Sequence, residues 1–171
     1  MVSRVGMAMG EQSRAIKVLM AEDDADDRML AKEAWDESKQ YNELEFVEDG
    51  EQLMDYLRGQ GRFSHLAGKP LPGLILLDLN MPRKDGREAL KEIKGDPRLR
   101  RIPVVVLTTS RAEEDICRSY DLGVNSFVVK PVSFDGLVEV IRGLARYWFE
   151  TVELPATCLS TGDYDSYSPD H

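Results

Sequence analysis

Leu74-Ile75-Leu76-Leu77-Asp78-Leu79-Asn80-Met81-Pro82 is an apolar run that ends on a carboxylate. A short, wholly apolar segment reads as a strand buried on both faces, the kind found in a parallel sheet. Such a strand has little reason to carry an acid unless the acid sits at its open carboxyl end. In open α/β sheets that end is where ligands bind. Pro82 and Asp85-Gly86 then turn the chain away. Asp78 is therefore the first candidate for a reactive group.

Working outward, apolar runs alternate with segments of helical period. Ile16 to Ala21 reads as a first buried strand. Asp24 to about Lys39 reads as a helix with Leu30, Ala31, Ala34 and Trp35 inward, Asp24 as its N-cap and Asp27 resembling a capping-box partner. Leu44 to Val47 alternates as a second strand, and Glu51 to Arg58 is a short helix carrying Leu53, Met54 and Leu57. Gly73 to Asp78 is the third strand, followed by a helix over Arg87 to Lys94. Ile102 to Leu107, Arg111 to Asp121 and Ser126 to Val129 read as strand, helix and strand. Phe134, Leu137, Val138, Ile141, Leu144 and Trp148 mark a last helix. Five strand–helix repeats imply a doubly wound α/β fold, a parallel sheet with helices on both faces.

The 171 residues allow one ordinary domain with short tails. Residues 1–14 are expected to be a flexible leader, 15–150 the domain, and 151–171 an acidic flexible tail with four acids and no Lys or Arg. Gly59 to Gly73, with four glycines and two prolines, is expected to be a long surface loop. A net charge of −9 argues against nucleic acid as a partner. No apolar run reaches membrane-spanning length, and the start lacks a signal peptide's apolar stretch. Cys117 and Cys158 show no metal or redox spacing, so a cytoplasmic setting is expected. His65 and His171 are the only histidines, which disfavours zinc sites and histidine-dependent triads.

The ends of four strands gather the chemistry. They carry Glu22-Asp23, Asp78, Thr108-Thr109-Ser110 and Lys130-Pro131. Carboxylates beside a hydroxyl and a lysine suit Mg²⁺ and a phosphoryl group, since magnesium prefers oxygen ligands and a carboxylate accepts phosphoryl when nearby cations neutralise the developing charge. Each element also has a plainer reading. The acids from Glu22 to Asp27 could simply favour a helix N-terminus. Thr109 and Ser110 read better as caps of the next helix. Lys130-Pro131 could be a turn, and Phe127 a core aromatic. Their joint order, one signal at each strand end, is what points to a site.

That set resembles the receiver domain of two-component response regulators, over roughly residues 15–150. The resemblance implies a flavodoxin-like five-stranded parallel sheet in the order 2-1-3-4-5, with five helices. It makes Asp78 the phosphoacceptor, fed by a sensor histidine kinase, so the missing histidine comes from another protein. It assigns the metal to Asp23, Asp78 and the backbone carbonyl of Asn80, with Glu22 acting through water. Lys130 would pair with the phosphoryl oxygens, and its bond to Pro131 would be cis. Thr108 and Phe127 would be the switch pair that carries the signal to helix four, strand five and helix five. Two departures from the commonest pattern are Glu22 in the first acidic position and Thr109, where a smaller residue is common.

A narrower resemblance rests on the Gly/Pro loop, Leu107 to Ser110, Ser119 to Leu122 and the ending Tyr147-Trp148-Phe149-Glu150-Thr151-Val152-Glu153-Leu154-Pro155. These look like stand-alone receivers that partner phytochrome-type kinases, which form homodimers through the helix-four to helix-five face. Trp148 follows the helix period and is expected inside. Tyr147 and Phe149 cannot share its face, so at least one is expected outside. The expected function is a single-domain response regulator, not an enzyme beyond its own phosphorylation and dephosphorylation. The alternatives are a phosphorylation-independent binding module of the same fold and a hydrolase capped by Gly59 to Gly73, a loop that leaves from the wrong end of its strand.

Overall fold

A computed structural model describes residues 16–155; the expected leader of residues 1–14 and most of the expected tail lie outside the described residues. Five parallel strands, β1 (Val18–Ala21), β2 (Leu44–Val47), β3 (Leu74–Leu77), β4 (Val104–Thr108) and β5 (Ser126–Val129), form one sheet in the order β2-β1-β3-β4-β5. Five helices alternate with them: α1 (Ala25–Glu37), α2 (Gly50–Arg58), α3 (Gly86–Gly95), α4 (Glu113–Asp121) and α5 (Phe134–Ala145). This is the expected topology. The long Gly/Pro segment is less plain than a loop, because it contains a 3₁₀ turn over Gly61–Leu66. There Phe63 is buried edge-on against Tyr56, ring centres 5.2 Å apart.

The period-two alternation of the strands builds two cores. Leu19, Ala21, Ile75, Leu77, Val104 and Val106 pack on α2 and α3 through Leu53, Leu57, Leu90 and Ile93. Their neighbours Val18, Met20, Leu74, Leu76, Val105 and Leu107 pack on α1 and α5 through Ala31, Ala34, Trp35, Val138 and Ile141. The inner strands β1 and β3 are therefore apolar throughout, because both of their faces are covered. Leu30 and Phe134, expected inward, are each 39% exposed, beside a cleft of about 110 Å³ between α1 and the start of α5. The last helix passes into a π-helical turn over Arg146–Thr151. That turn buries Trp148, sets Phe149 edge-on to Trp35 at 6.3 Å, and leaves Tyr147 51% exposed.

Helix starts are fixed by carboxylates and a hydroxyl accepting orphan backbone N–H groups: Asp24 for α1, Asp49 for α2, Asp85 for α3 and Ser133 for α5. The last turn of β3 onto α3 depends on a missing side chain. A Cβ on Gly86 would lie 2.2 Å from the Asp78 carbonyl oxygen and 2.7 Å from the Leu79 Cα, and the Gly86 N–H donates to the Leu79 carbonyl at 2.9 Å. Nothing on the opposing backbone can swing aside. Gly86→Ala is expected to lower the urea midpoint, with a loss of about 1–3 kcal/mol or more, whereas Gly95→Ala, where the added carbon meets nothing within 4 Å, is not.

Candidate functional site

The strand order brings the expected residues to one place at the carboxyl edge of the sheet. β1 and β3 are neighbours in register, Ala21 opposite Leu77, so the residues that follow them, Glu22-Asp23 and Asp78, emerge side by side. The Asp78 N–H donates to the Ala21 carbonyl at 3.1 Å and so ties the two strand ends together. Carboxylate oxygens of Glu22, Asp23 and Asp78 lie within 4.8 Å of one another. Glu22 and Asp78 are buried while Asp23 is exposed.

β4 and β5 bring the other two groups. Thr108 is fully buried, and its hydroxyl donates to Asp78 Oδ1 at 2.9 Å. Asp78 Oδ1 also accepts from the Asn80 N–H at 3.1 Å. The Lys130 N–H donates to the Thr108 carbonyl at 2.8 Å, which places the Lys130 ammonium 3.3 Å from Asp78 Oδ2. The same ammonium makes a close ion pair with Glu22 Oε2 and reaches Asp27 at 3.5 Å. Phe127, one residue past Ser126 and opposite Val106, is half-buried against the α2–α3 core.

Three acids thus face one ammonium. Burial lifts the Glu22 carboxyl from its ordinary 4.5 to about 7, against the pull of Lys130 and with the charge of Asp78 adding to the rise. Burial also works against the Lys130 charge, but Glu22, Asp78 and Asp27 outweigh it and hold the ammonium above its ordinary value. A cluster of hard oxygen donors with surplus negative charge fits a divalent cation such as Mg²⁺.

Three details differ from expectation. No peptide bond among the described residues is cis, so Lys130–Pro131 is trans; trans is the intrinsically favoured isomer by about 0.5–1 kcal/mol, and Lys130 reaches both carboxylates in this form. Neither Thr109 nor Ser110 caps α4. The cap is Ala112, without a side-chain hydrogen bond, because the Ser110 hydroxyl turns to Asp115 Oδ2 at 2.6 Å and Thr109 is exposed. Asp27 does not return the capping bond that Asp24 makes to its N–H; it faces Lys130 instead. Arg28 was not foreseen: its guanidinium donates to the Glu22 carbonyl at 3.0 Å and the Asp23 carbonyl at 2.8 Å. Its spacing after the acid pair carries no signal of that role.

The family model described as "Response regulator receiver domain" matches residues 18–142. The chain belongs to this family. Response regulator Rcp1 of Synechocystis sp. is 45% identical over 149 residues, covering 86% of this chain and 99% of Rcp1. A solved Mn²⁺-bound form of Rcp1 superposes with a TM-score of 0.75 at 45% identity, over 82% of this chain and 99% of that one. The phosphorylated cyanobacterial phytochrome response regulator RcpA gives 0.75 at 45% identity, over 82% and 98%. RPA3017, a response regulator in red light signalling of R. palustris, gives 0.76 at 38% identity, over 82% and 98%. The receiver domain of this chain thus resembles the stand-alone phytochrome-associated type. Its acid cluster fits a divalent metal, and one of the relatives is solved in an Mn²⁺-bound form.

The raised Glu22 carboxyl has a consequence for stability. Its folded-state pKa exceeds its unfolded value, so the folded receiver binds more protons than the unfolded chain between pH 4.5 and about 7. Stability from this group is therefore present at the acid end of that window and lost as pH rises through it. In chelator-treated buffer, Glu22→Gln should gain on the wild type by about 1–3 kcal/mol between pH 5 and pH 8 in urea titrations. A difference that stays flat across that range would contradict the assigned burial of a titrating carboxyl.

Proposed function

We propose that this receiver accepts a phosphoryl group on Asp78 from a sensor histidine kinase and signals through protein–protein contact. The observation that carries this reading is the convergence of Thr108 and Lys130 on the two oxygens of one buried carboxylate. Asp78 is held by donors on both oxygens, so its reacting group is oriented before any donor arrives. The carboxylate oxygen would bond to phosphorus as the bond from phosphorus to the donor nitrogen breaks, leaving an acyl phosphate. Lys130 would then pair with the phosphoryl oxygens, and the Thr108 hydroxyl, now on Asp78 Oδ1, would turn to one of them.

The residues that would hold Mg²⁺ are Asp23, Asp78 and the Asn80 backbone carbonyl, with Glu22 contributing through water. Bound there, the ion would neutralise charge on the transferring group. With Asp78 unmodified, Lys130 balances only part of the negative charge, which favours a dication. Reaction at Asp78 is confined to the protein's own phosphorylation and dephosphorylation.

The relatives' involvement in phytochrome and red-light signalling supports a phytochrome-type kinase as the donor, in the cytoplasm. For the output, α4 is exposed along most of its length, β5 is half-buried, and Tyr120 and Tyr147 are 49% and 51% exposed. Aromatic side chains left at a surface suit a protein interface, and this supports a homodimer through α4, β5 and α5. Phe127, half-buried on β5 opposite Val106, would be the switch residue that works with Thr108.

Incubation with acetyl phosphate and Mg²⁺ should add one phosphoryl group by intact-mass analysis, with none added to Asp78→Asn or in excess chelator. Uptake by Asp78→Asn would sink the assignment. Sedimentation should show a dimer weakened about tenfold or more by Tyr147→Ala with Asp78 intact; an unchanged dimerisation constant would remove α5 from the interface.

A further inference from the structure

α4 is the least rooted of the five helices. Ser119 is its one buried residue among those described, and its N-cap is Ala112, which offers no side-chain acceptor. Yet the loop leading into it, Thr109 to Ala112, carries on directly from Thr108, the residue whose hydroxyl touches the acceptor carboxylate. Something other than local helix capping must hold that loop.

The contact that does so comes from α3. Arg87 donates from Nε and Nη2 to Asp115 Oδ1 at 2.9 and 2.7 Å. The other oxygen, Asp115 Oδ2, accepts the Ser110 hydroxyl at 2.6 Å. Ser110 Oγ in turn accepts the Ala112 N–H at 3.4 Å, and the Ser110 N–H points to Thr108 Oγ1 at 3.5 Å. Ser110 and Arg87 hold the Asp115 carboxyl below its ordinary range, so it is charged at neutral pH. Arg87 and Asp115 are both largely covered, with side chains 23% and 19% exposed, so this pair is less screened than a fully exposed surface pair.

The other end of the chain of contacts is equally well fixed. Arg87 follows Gly86, whose backbone lies directly on the Asp78 carbonyl and donates to Leu79. The Arg87 N–H is itself held by Asp85 Oδ1 at 2.9 Å. The contacts therefore close a ring: Asp78 to Gly86 through the backbone, Arg87 to Asp115 to Ser110 through side chains, and Thr108 back to Asp78.

We infer that Arg87, Asp115 and Ser110 are positioning residues that hold the Thr108 loop at a set distance from Asp78. This rests on the reading of Asp78 as the phosphoacceptor. None of the three touches the reacting atoms; they act through Thr108. With the ring intact, the Thr108 hydroxyl is already turned inward, and little rearrangement is needed when a phosphoryl group arrives. With it broken, α4 has no local cap to keep the loop in place, and Thr108 must be recruited at each turnover.

The test is single-turnover phosphoryl uptake from acetyl phosphate, followed by intact mass, with Mg²⁺ affinity measured separately by calorimetry. Asp115→Asn and Arg87→Gln should each slow uptake about 3- to 30-fold and leave Mg²⁺ affinity unchanged, with Arg87→Lys recovering part of the rate. Ser110→Ala, which removes only a hydroxyl, should act in the same direction. The decisive arm is Thr108→Ala: on that background Asp115→Asn should add little, because the two act in series. Equal slowing by Asp115→Asn with and without Thr108, or no slowing in any of the three variants, would overturn the inference while leaving Asp78 as acceptor. A wild type that takes up no phosphoryl group would instead overturn the reading of the site, and the positioning role with it.

Discussion

The Lys130 ammonium is the constraint around which the site is arranged. It reaches from the end of β5 to Glu22 at the end of β1 and to Asp78 at the end of β3, and a third acid, Asp27, lies within reach on α1. Removing carboxylates from water is costly, and one lysine cannot neutralise three. Burial, with the charge of Asp78 adding to it, is what lifts the Glu22 carboxyl. The fold therefore holds a site that is electrostatically incomplete, and both a dication and a phosphoryl group would alter that balance directly.

Holding like charges together requires a rigid frame, and the frame is backbone. Gly86 lies on the Asp78 carbonyl, and Gly50 lies equally close to the Lys84 carbonyl, where a Cβ would come within 2.2 Å. These contacts lock the starts of α2 and α3 onto the loop that follows Asp78. Asp49 is buried as the α2 cap and also binds the Arg83 guanidinium at 3.0 Å. Arg83 itself has φ of 63°, a left-handed conformation uncommon outside glycine, asparagine and aspartate. The loop beside Asp78 is thus held in a locally disfavoured shape by an ion pair to a buried partner, while the other side of the site is anchored through Arg28 and the carbonyls of Glu22 and Asp23.

The two sides of the sheet differ in how firmly they are held. α1 and α5 share a dense core with Trp35, Val138, Ile141 and Trp148, extended by the π-helical turn that packs Phe149 on Trp35. α4 contributes one small buried residue and is tied to α3 by the ion pair of Arg87 with Asp115. Elements with few buried contacts move at low cost, which makes α4 the helix that shifts most readily. Tyr120 is exposed on that helix.

The fold was legible because its signals are local. A strand buried on both faces must be apolar throughout, and a helix must repeat its apolar residues at its own period. Asp78, Glu22-Asp23, Thr108 and Lys130 could be read as one site because each lies directly after or at the end of a strand, and the carboxyl ends of parallel strands share one edge; the order that makes them neighbours came only with the family resemblance. Side-chain partners chosen across the fold were not legible. Asp27 reads locally as a capping residue but faces Lys130; Ser110 reads as a cap but turns to Asp115; Arg87 and Arg28 carry no pattern at all. Leu30 and Phe134 follow the helix period yet remain partly exposed, because the period gives a direction and not the depth of the neighbour that meets it. The trans Lys130–Pro131 bond belongs with these, since a dipeptide leaves both isomers open. Sequence alone determined which residues end the strands and hence which chemistry meets at the edge of the sheet; tertiary structure decided which charges pair there, because an ion pair depends on distances between elements that no local pattern encodes.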